Sequence, residues 1–163
     1  MTIAIKNLIL WRHAEAEHVD IALSVEDDMA RKLTPKGERQ ARLMARWLHK
    51  HLPKNLMLIS SPAVRAFQTA EALNYNINLH PDLKPGADLN EILIVLENIE
   101  TSKQNLLIVG HQPWLGALVA HLTGYSDRDV NIKKGAIWWL RQSTIQPGQY
   151  NIFTVQTPSL LPS

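Results

Sequence analysis

The sequence predicts an α/β fold: a single-domain three-layer sandwich with a mainly parallel central sheet, helices on both faces and an antiparallel edge. Three observations predict it. The runs "LILW", "LMLIS" and "LLIVG" are apolar at consecutive positions, as in strands buried on both faces of a sheet. Each is followed, directly or after a loop, by a segment with helical features. The last third is aromatic and β-branched on either side of "QPG", the pattern of a hairpin. With 163 residues, 45% of them hydrophobic, the chain has enough material for one core, so one domain is expected over residues 1–163.

The elements follow in order. "NLILWR" is the first strand. Residues 15–32 hold Glu17, Asp20, Glu26, Asp27 and Asp28 without a firm period, and are expected to form a long acidic loop. "LTPKGERQARLMARWLHKHLP" is an amphipathic helix: Thr34 can cap it, Pro35 suits its first turn, and Pro53 ends it. Its apolar face is Ala41, Leu43 or Met44, Trp47, Leu48 and Leu52.

The second strand passes into "SPAVRAFQTAEAL", where Ser61 can cap a helix that Pro62 starts. Residues 77–80 read as an edge strand, and Pro85 with Gly86 as a turn. "LNEILIVLENIE" is a helix despite its β-branched content. The third strand leads to "QPWLGALVAHLTG", a helix that Gly124 can close. "GAIWWLR" and "YNIFTV" form the hairpin, and the tail from about residue 156 is expected to fray.

Composition narrows the functions available. The net charge is +2, and 17 basic residues interleave with 15 acidic ones, the pattern of a mixed surface and not of a nucleic-acid face. There are no cysteines, which excludes disulfides, thiolate catalysis and Cys-based metal sites. No apolar run approaches a membrane span, and the N-terminus has Lys6 inside its apolar stretch and no small-residue cleavage site. A soluble, cytoplasmic protein without membrane or nucleic-acid partners is expected; the sequence is silent on oligomeric state.

Open α/β sheets bind ligands outside the carboxyl ends of their parallel strands. The first strand ends on Arg12 and His13. The second ends on Ser60 and Ser61, with Arg65 about one turn into the next helix. The third ends on Gly110, His111 and Gln112. Two guanidiniums and two imidazoles thus share one edge, a cluster that repels itself unless an anion fills it. Arginine's planar fork suits phosphate oxygens, and a helix N-terminus adds donors. One imidazole can attack phosphorus and the other can hydrogen-bond the equatorial oxygens, but the residues do not say which does which. His18, His49, His51, His80 and His121 show no such convergence. His49 and His51, two apart on a helix, cannot share a face to hold a metal, and His121 reads as a packed residue.

"LILWRHAEAE", "LISSPAVRAFQTAEAL" and "LLIVGHQP" resemble, in order, three signature blocks of the histidine phosphatase superfamily, the phosphoglycerate-mutase-like fold. The resemblance covers residues 8 to about 122. Short length, "LTPKGERQA" and "PGAD" bring the chain nearest the SixA-type phosphohistidine phosphatases. The resemblance implies His13 as the phosphate-accepting nucleophile, Arg12, Arg65 and His111 around the phosphate, and no metal or organic cofactor. It implies a phosphorylated substrate, a phosphohistidine-bearing signalling protein first. The alternatives are a small-metabolite phosphomonoesterase and a weakly catalytic phosphate-recognition module.

Two features depart from the pattern. Ala14 stands where the family has glycine; were a positive φ required there, alanine would be strained by about 1 kcal/mol or more. The general acid is open between Asp88, which could instead cap a helix, and Glu15, which could instead hold an arginine.

Overall fold

A computed structural model describes residues 3–21, 23–99, 102–125 and 130–163. Its strands are β1 (Asn7–Arg12), β2 (Leu56–Ser60), β3 (Ile77–Leu79), β4 (Asn105–Gly110), β5 (Ile137–Gln142) and β6 (Tyr150–Gln156). They form one sheet in the order β3-β2-β4-β1-β5-β6. β1 to β4 run parallel; β5 pairs antiparallel with β1, and β6 with β5. The three-layer sandwich with its antiparallel edge is therefore as the sequence predicts.

The sheet's period of two sorts the core into two layers. Leu8, Leu10, Leu106 and Ile108 point to one face, under α4 (Leu89–Asn98) and α5 (Trp114–Thr123). Ile9, Trp11, Leu107 and Val109 point to the other, under α2 (Pro35–His51) and α3 (Val64–Glu71). All eight side chains are buried, which is why these strands read as unbroken apolar runs. Thr34 caps α2 by accepting the Gly37 N–H, and Pro35 opens that helix. Gly124 ends α5 with a φ of 75°. Gly37 has a different use. A Cβ there would overlap the Glu15 carbonyl oxygen, so glycine lets α2 press against the segment that leaves β1.

The structure amends several expectations. Residues 15–32 are not all loop: a short helix, α1 (Val25–Met29), is capped by Ser24 with three acids in its first turn, which suits the helix dipole. Helix α3 begins at Val64, two residues later than Pro62, and its N-cap Ala63 has no side-chain cap. Ser61 instead accepts the Ala63 N–H from outside the helix. His121 is exposed, because α5 turns it away from its apolar face. The tail does not fray at residue 156: β6 includes Gln156, a 3₁₀ turn spans Pro158–Leu160, and Leu161 packs against the α2–α3 layer.

Nor do all basic residues stay dispersed. The helical period gathers Lys36, Arg39, Arg42 and Arg46 around one groove beside Pro158, which a linear reading of alternating charges conceals.

Candidate active site

Three neighbouring strands deliver the site. β4 lies between β2 and β1, with Arg12 opposite Gly110 and Ser60 opposite Val109, so their carboxyl ends finish level. The residues that follow each strand meet in a cavity of about 200 Å³ lined by Arg12, His13, Arg31, Arg65, His111, Gln112 and Lys134, with Ala16 and Pro85 at its wall. Four of the sequence-predicted residues are thus brought together.

His13 is fixed through the backbone. Its N–H donates to the Gly110 carbonyl, and its own carbonyl accepts the Gly135 N–H. The ring Nδ1 lies 2.8 Å from the Ala14 carbonyl oxygen. A carbonyl can only accept, so Nδ1 carries the proton and Nε2 the free lone pair. The next amide, Ala14, donates to Thr69 Oγ1 at 3.0 Å, and Thr69 donates to the Arg65 carbonyl, tying the β1 end to α3. Ala14 is buried beside Leu33 and Ala41, and among the described residues the non-glycine ones with positive φ are Asn55 and Asn74. Alanine therefore carries no left-handed strain at this position.

His111 sits 5.1 Å from His13 between ring centroids, tilted by 52°. Its Nε2 is 2.7 Å from Ser61 Oγ. We assign the Ser61 proton to Nε2, so that Ser61 Oγ donates there while accepting the Ala63 N–H, and the ring proton to Nδ1. Burial lowers His13 to about 3, helped by Arg65, Arg12 and Arg31 and opposed by the hydrogen bond to Ala14. Burial, with His13 and the same arginines, lowers His111 to about 2. Both rings are neutral at pH 7.

The arginines are held from behind. Arg12 Nη1 donates to the Ile132 carbonyl at 2.8 Å. Arg65 donates through Nη1 to the Asp28 carbonyl at 2.7 Å and through Nη2 to Asp28 Oδ2 at 3.1 Å. Among the described residues, three buried side-chain polar atoms lack any partner: Arg12 Nε, Arg65 Nε and His111 Nδ1. All three belong to side chains lining this cavity and all are donors. Buried donors left without acceptors are costly, and an oxyanion supplies acceptors and countercharge together.

The two acid candidates lie elsewhere. Asp88 caps α4: its carboxylate accepts the Glu91 N–H while Glu91 returns the bond to the Asp88 N–H. Glu15 is held by Lys36 Nζ at 3.2 Å and Thr34 Oγ1 at 3.0 Å, a lysine in place of the expected arginine, and these bonds keep its carboxyl below the usual range. Neither lines the cavity.

Arg31 and Lys134 escape the sequence reading, Asp28 figures there only as one acid of residues 15–32, and Gln112 only as the residue that follows His111. Asp28 and Arg31 belong to residues 15–32, which read as loop in the sequence, and their spacing of three, which suits an ion pair, is the available signal. Partial burial pushes the Asp28 carboxyl up, but Arg65 and Arg31 outweigh it and hold the group below its ordinary value.

A model of the histidine phosphatase superfamily (branch 1) matches residues 8–95. A phosphohistidine phosphatase SixA homolog of Haemophilus influenzae is 31% identical over 132 residues, 72% of this chain and 77% of that protein. The phosphohistidine phosphatase SixA of Escherichia coli is 33% identical over 112 residues, 64% of this chain and 70% of that one. A solved structure from Nakamurella multipartitia, assigned as a phosphohistidine phosphatase SixA, superposes with a TM-score of 0.77 at 25% identity, covering 94% of this chain and 96% of that one.

Proposed function

The chain belongs to the histidine phosphatase superfamily and is a phosphatase, and on that premise we propose that it hydrolyses phosphohistidine on a protein through a phospho-enzyme at His13. The observation that carries this reading is the single cavity in which His13 and His111 meet Arg12 and Arg65, with three buried donors lacking acceptors.

The bound phosphoryl group takes hydrogen bonds from the arginines and from His111 Nδ1–H. His13 Nε2 attacks phosphorus, the N–P bond forms, and the bond to the leaving group breaks with its electron pair going to that group. Charge on the three equatorial oxygens meets preorganised donors, where such contacts act most strongly. Water then attacks the phosphorus of phospho-His13, the N–P bond breaks, and phosphate leaves with His13 restored.

Two features favour a protein substrate. The cavity, about 200 Å³, is smaller than the roughly 300–1,000 Å³ of sites that enclose whole small molecules. Among the described residues no unengaged carboxylic acid lines it, since Asp28 approaches only through its arginines. An imidazole leaving group needs less help from such an acid than an alkoxide does, which suits a phosphoramidate.

One observation favours the metabolite alternative: a hollow of about 340 Å³ lined by Leu23, Val25, Met29, Pro62 and Pro81 also shares Pro85 with the cavity. A phosphorylated histidine-containing phosphotransfer domain assayed beside phosphorylated metabolites separates the two. Faster turnover of the phosphoprotein is expected; a preferred metabolite would replace this reading. His13→Ala should abolish turnover and the alkali-stable phospho-enzyme label, and retained activity would remove His13 from the mechanism.

A further inference from the structure

We propose that Arg31 is a third anion-binding guanidinium of this cavity, and that Asp28 is the positioning residue that holds Arg31 and Arg65 together against it. The inference deepens the phosphatase reading and rests on it.

Arg31 follows α1, two residues beyond its last residue Met29 and far in sequence from the three strand ends, yet it lines the same cavity as Arg12 and Arg65. Three guanidiniums around about 200 Å³ repel one another: Arg65 lowers Arg12, after burial, and Arg31 opposes the charge on Arg65. Asp28 resolves the conflict by sharing its carboxylate. Oδ2 takes Arg65 Nη2 at 3.1 Å, while Oδ1 takes Arg31 Nε and Nη2, both at 3.0 Å. The Asp28 main-chain oxygen takes Arg65 Nη1 as well. Each arginine is thereby fixed from its outer side.

Nothing in the core fixes α1 in this place. The helix has five residues and buries none of them, and Val25 is 81% exposed. What joins it to the body of the protein at the cavity is the Asp28–Arg65 clasp, whose arginine side chain is only 4% exposed. A further Arg31 bond, Nη1 to the Glu17 carbonyl at 3.0 Å, sets the guanidinium's other edge. Such an investment of bonds in orienting a charged group that lines the cavity fits an anion ligand better than a solvated surface arginine.

Vanadate inhibition and aryl phosphate hydrolysis test this with the whole chain. Arg31→Ala should raise the vanadate inhibition constant and the KM about tenfold or more, with kcat changed less than about threefold, as for loss of a charge-assisted contact made in ground and transition states alike. Asp28→Ala gives the sharper result. Removing a negative charge from a cationic site should tighten an oxyanion if charge alone mattered; loss of positioning should instead weaken vanadate by about tenfold. Because α1 buries no residue, Arg31→Ala should leave the melting temperature near that of the unaltered chain. Asp28→Ala strips the buried Arg65 of its carboxylate and should lower it, so vanadate affinity of that variant is read well below its transition, where circular dichroism shows it folded. Arg31→Ala with vanadate affinity unchanged within about twofold, or Asp28→Ala with tighter vanadate, overturns the inference. Failure of the unaltered protein to bind vanadate or hydrolyse any phosphate would instead refute the phosphatase reading itself.

Discussion

Replacing Ser61 with alanine tests how His111 is set for its task. Ser61 Oγ accepts the Ala63 N–H at 3.2 Å and lies 2.7 Å from His111 Nε2, in a place where both residues are buried. Its proton makes Nε2 an acceptor and so leaves the ring proton on Nδ1, the nitrogen without a protein partner. In Ser61→Ala the Ala63 amide and Nε2 both lose that hydroxyl, and a buried group left unpaired costs about 1–3 kcal/mol of stability. The catalytic effect is separate. Without the hydroxyl the two neutral tautomers of His111 come close in energy, and the Nε2–H form points a lone pair from Nδ1 at phosphate oxygens. Loss of one positioned donor to developing negative charge costs about 10²–10³ in kcat. With the two tautomers close in energy about half of the rings keep Nδ1–H, so kcat is expected to fall only about twofold, and the tautomer ratio is the decisive readout. Steady-state hydrolysis of an aryl phosphate at pH 7 reads the rate, and nitrogen-15 NMR of labelled imidazoles reads the tautomer. An unchanged tautomer ratio in Ser61→Ala, or an Nε2–H tautomer in the unaltered protein, refutes the assignment.

Ala14→Gly should leave kcat within about twofold and lower stability by roughly 1–2 kcal/mol in urea titrations, since it deletes a buried methyl and frees the unfolded backbone. A tenfold gain in rate would mean that the methyl obstructs the site. Stability should also rise with pH between about 3 and 6.5: His13, lowered to about 3 by burial first and the arginines next, binds its proton less readily folded than unfolded, so the unfolded chain holds more protons in that window. His111, lowered to about 2 by burial, acts in the same direction. Stability is lost as pH falls through 6.5, by up to about 1.4 kcal/mol per pH unit for each histidine. His13→Asn should flatten the slope by one histidine's share, and a slope unchanged from pH 4 to 7 would place the ring's neutrality in doubt.

The sheet was legible because burial on both faces leaves unbroken apolar runs, and Leu8, Leu10, Leu106 and Ile108 required no knowledge of what lay opposite them. The strand-end residues followed from topology: a parallel sheet brings its carboxyl ends level, so Arg12, His13 and His111 had to meet. Arg65 required one more step, the helix after β2. What stayed hidden depends on contacts between chain segments with no shared period. The Asp28–Arg65 pair joins positions 37 residues apart, and five residues of helix in an acidic stretch leave too few turns to show periodicity. Asp88 and Glu15 show the converse. Both sit at sequence positions suited to an acid, and only geometry reveals that one closes a capping box and the other holds Lys36 and Thr34.

In the proposed mechanism the cations that would recognise phosphate also prepare the nucleophile. An imidazole attacks only when unprotonated, and at an unperturbed pKa near 6.5 a substantial share of rings would be charged in mildly acidic conditions. Burial and three guanidiniums make a second positive charge on His13 unfavourable, so its Nε2 lone pair is available over the whole physiological range. The same reasoning changes sign when the cavity fills. A dianion among these side chains favours imidazolium, so its arrival must raise the proton affinity of His111, whose depression comes from burial and from neighbouring positive charge. By linkage, protons taken up on binding stabilise the bound phosphate in return. His111 is therefore unprotonated in the empty cavity and takes up a proton more readily beside phosphate, which in the proposed mechanism would let a ring take part in proton movement at a site where both plausible carboxylates are committed to other bonds.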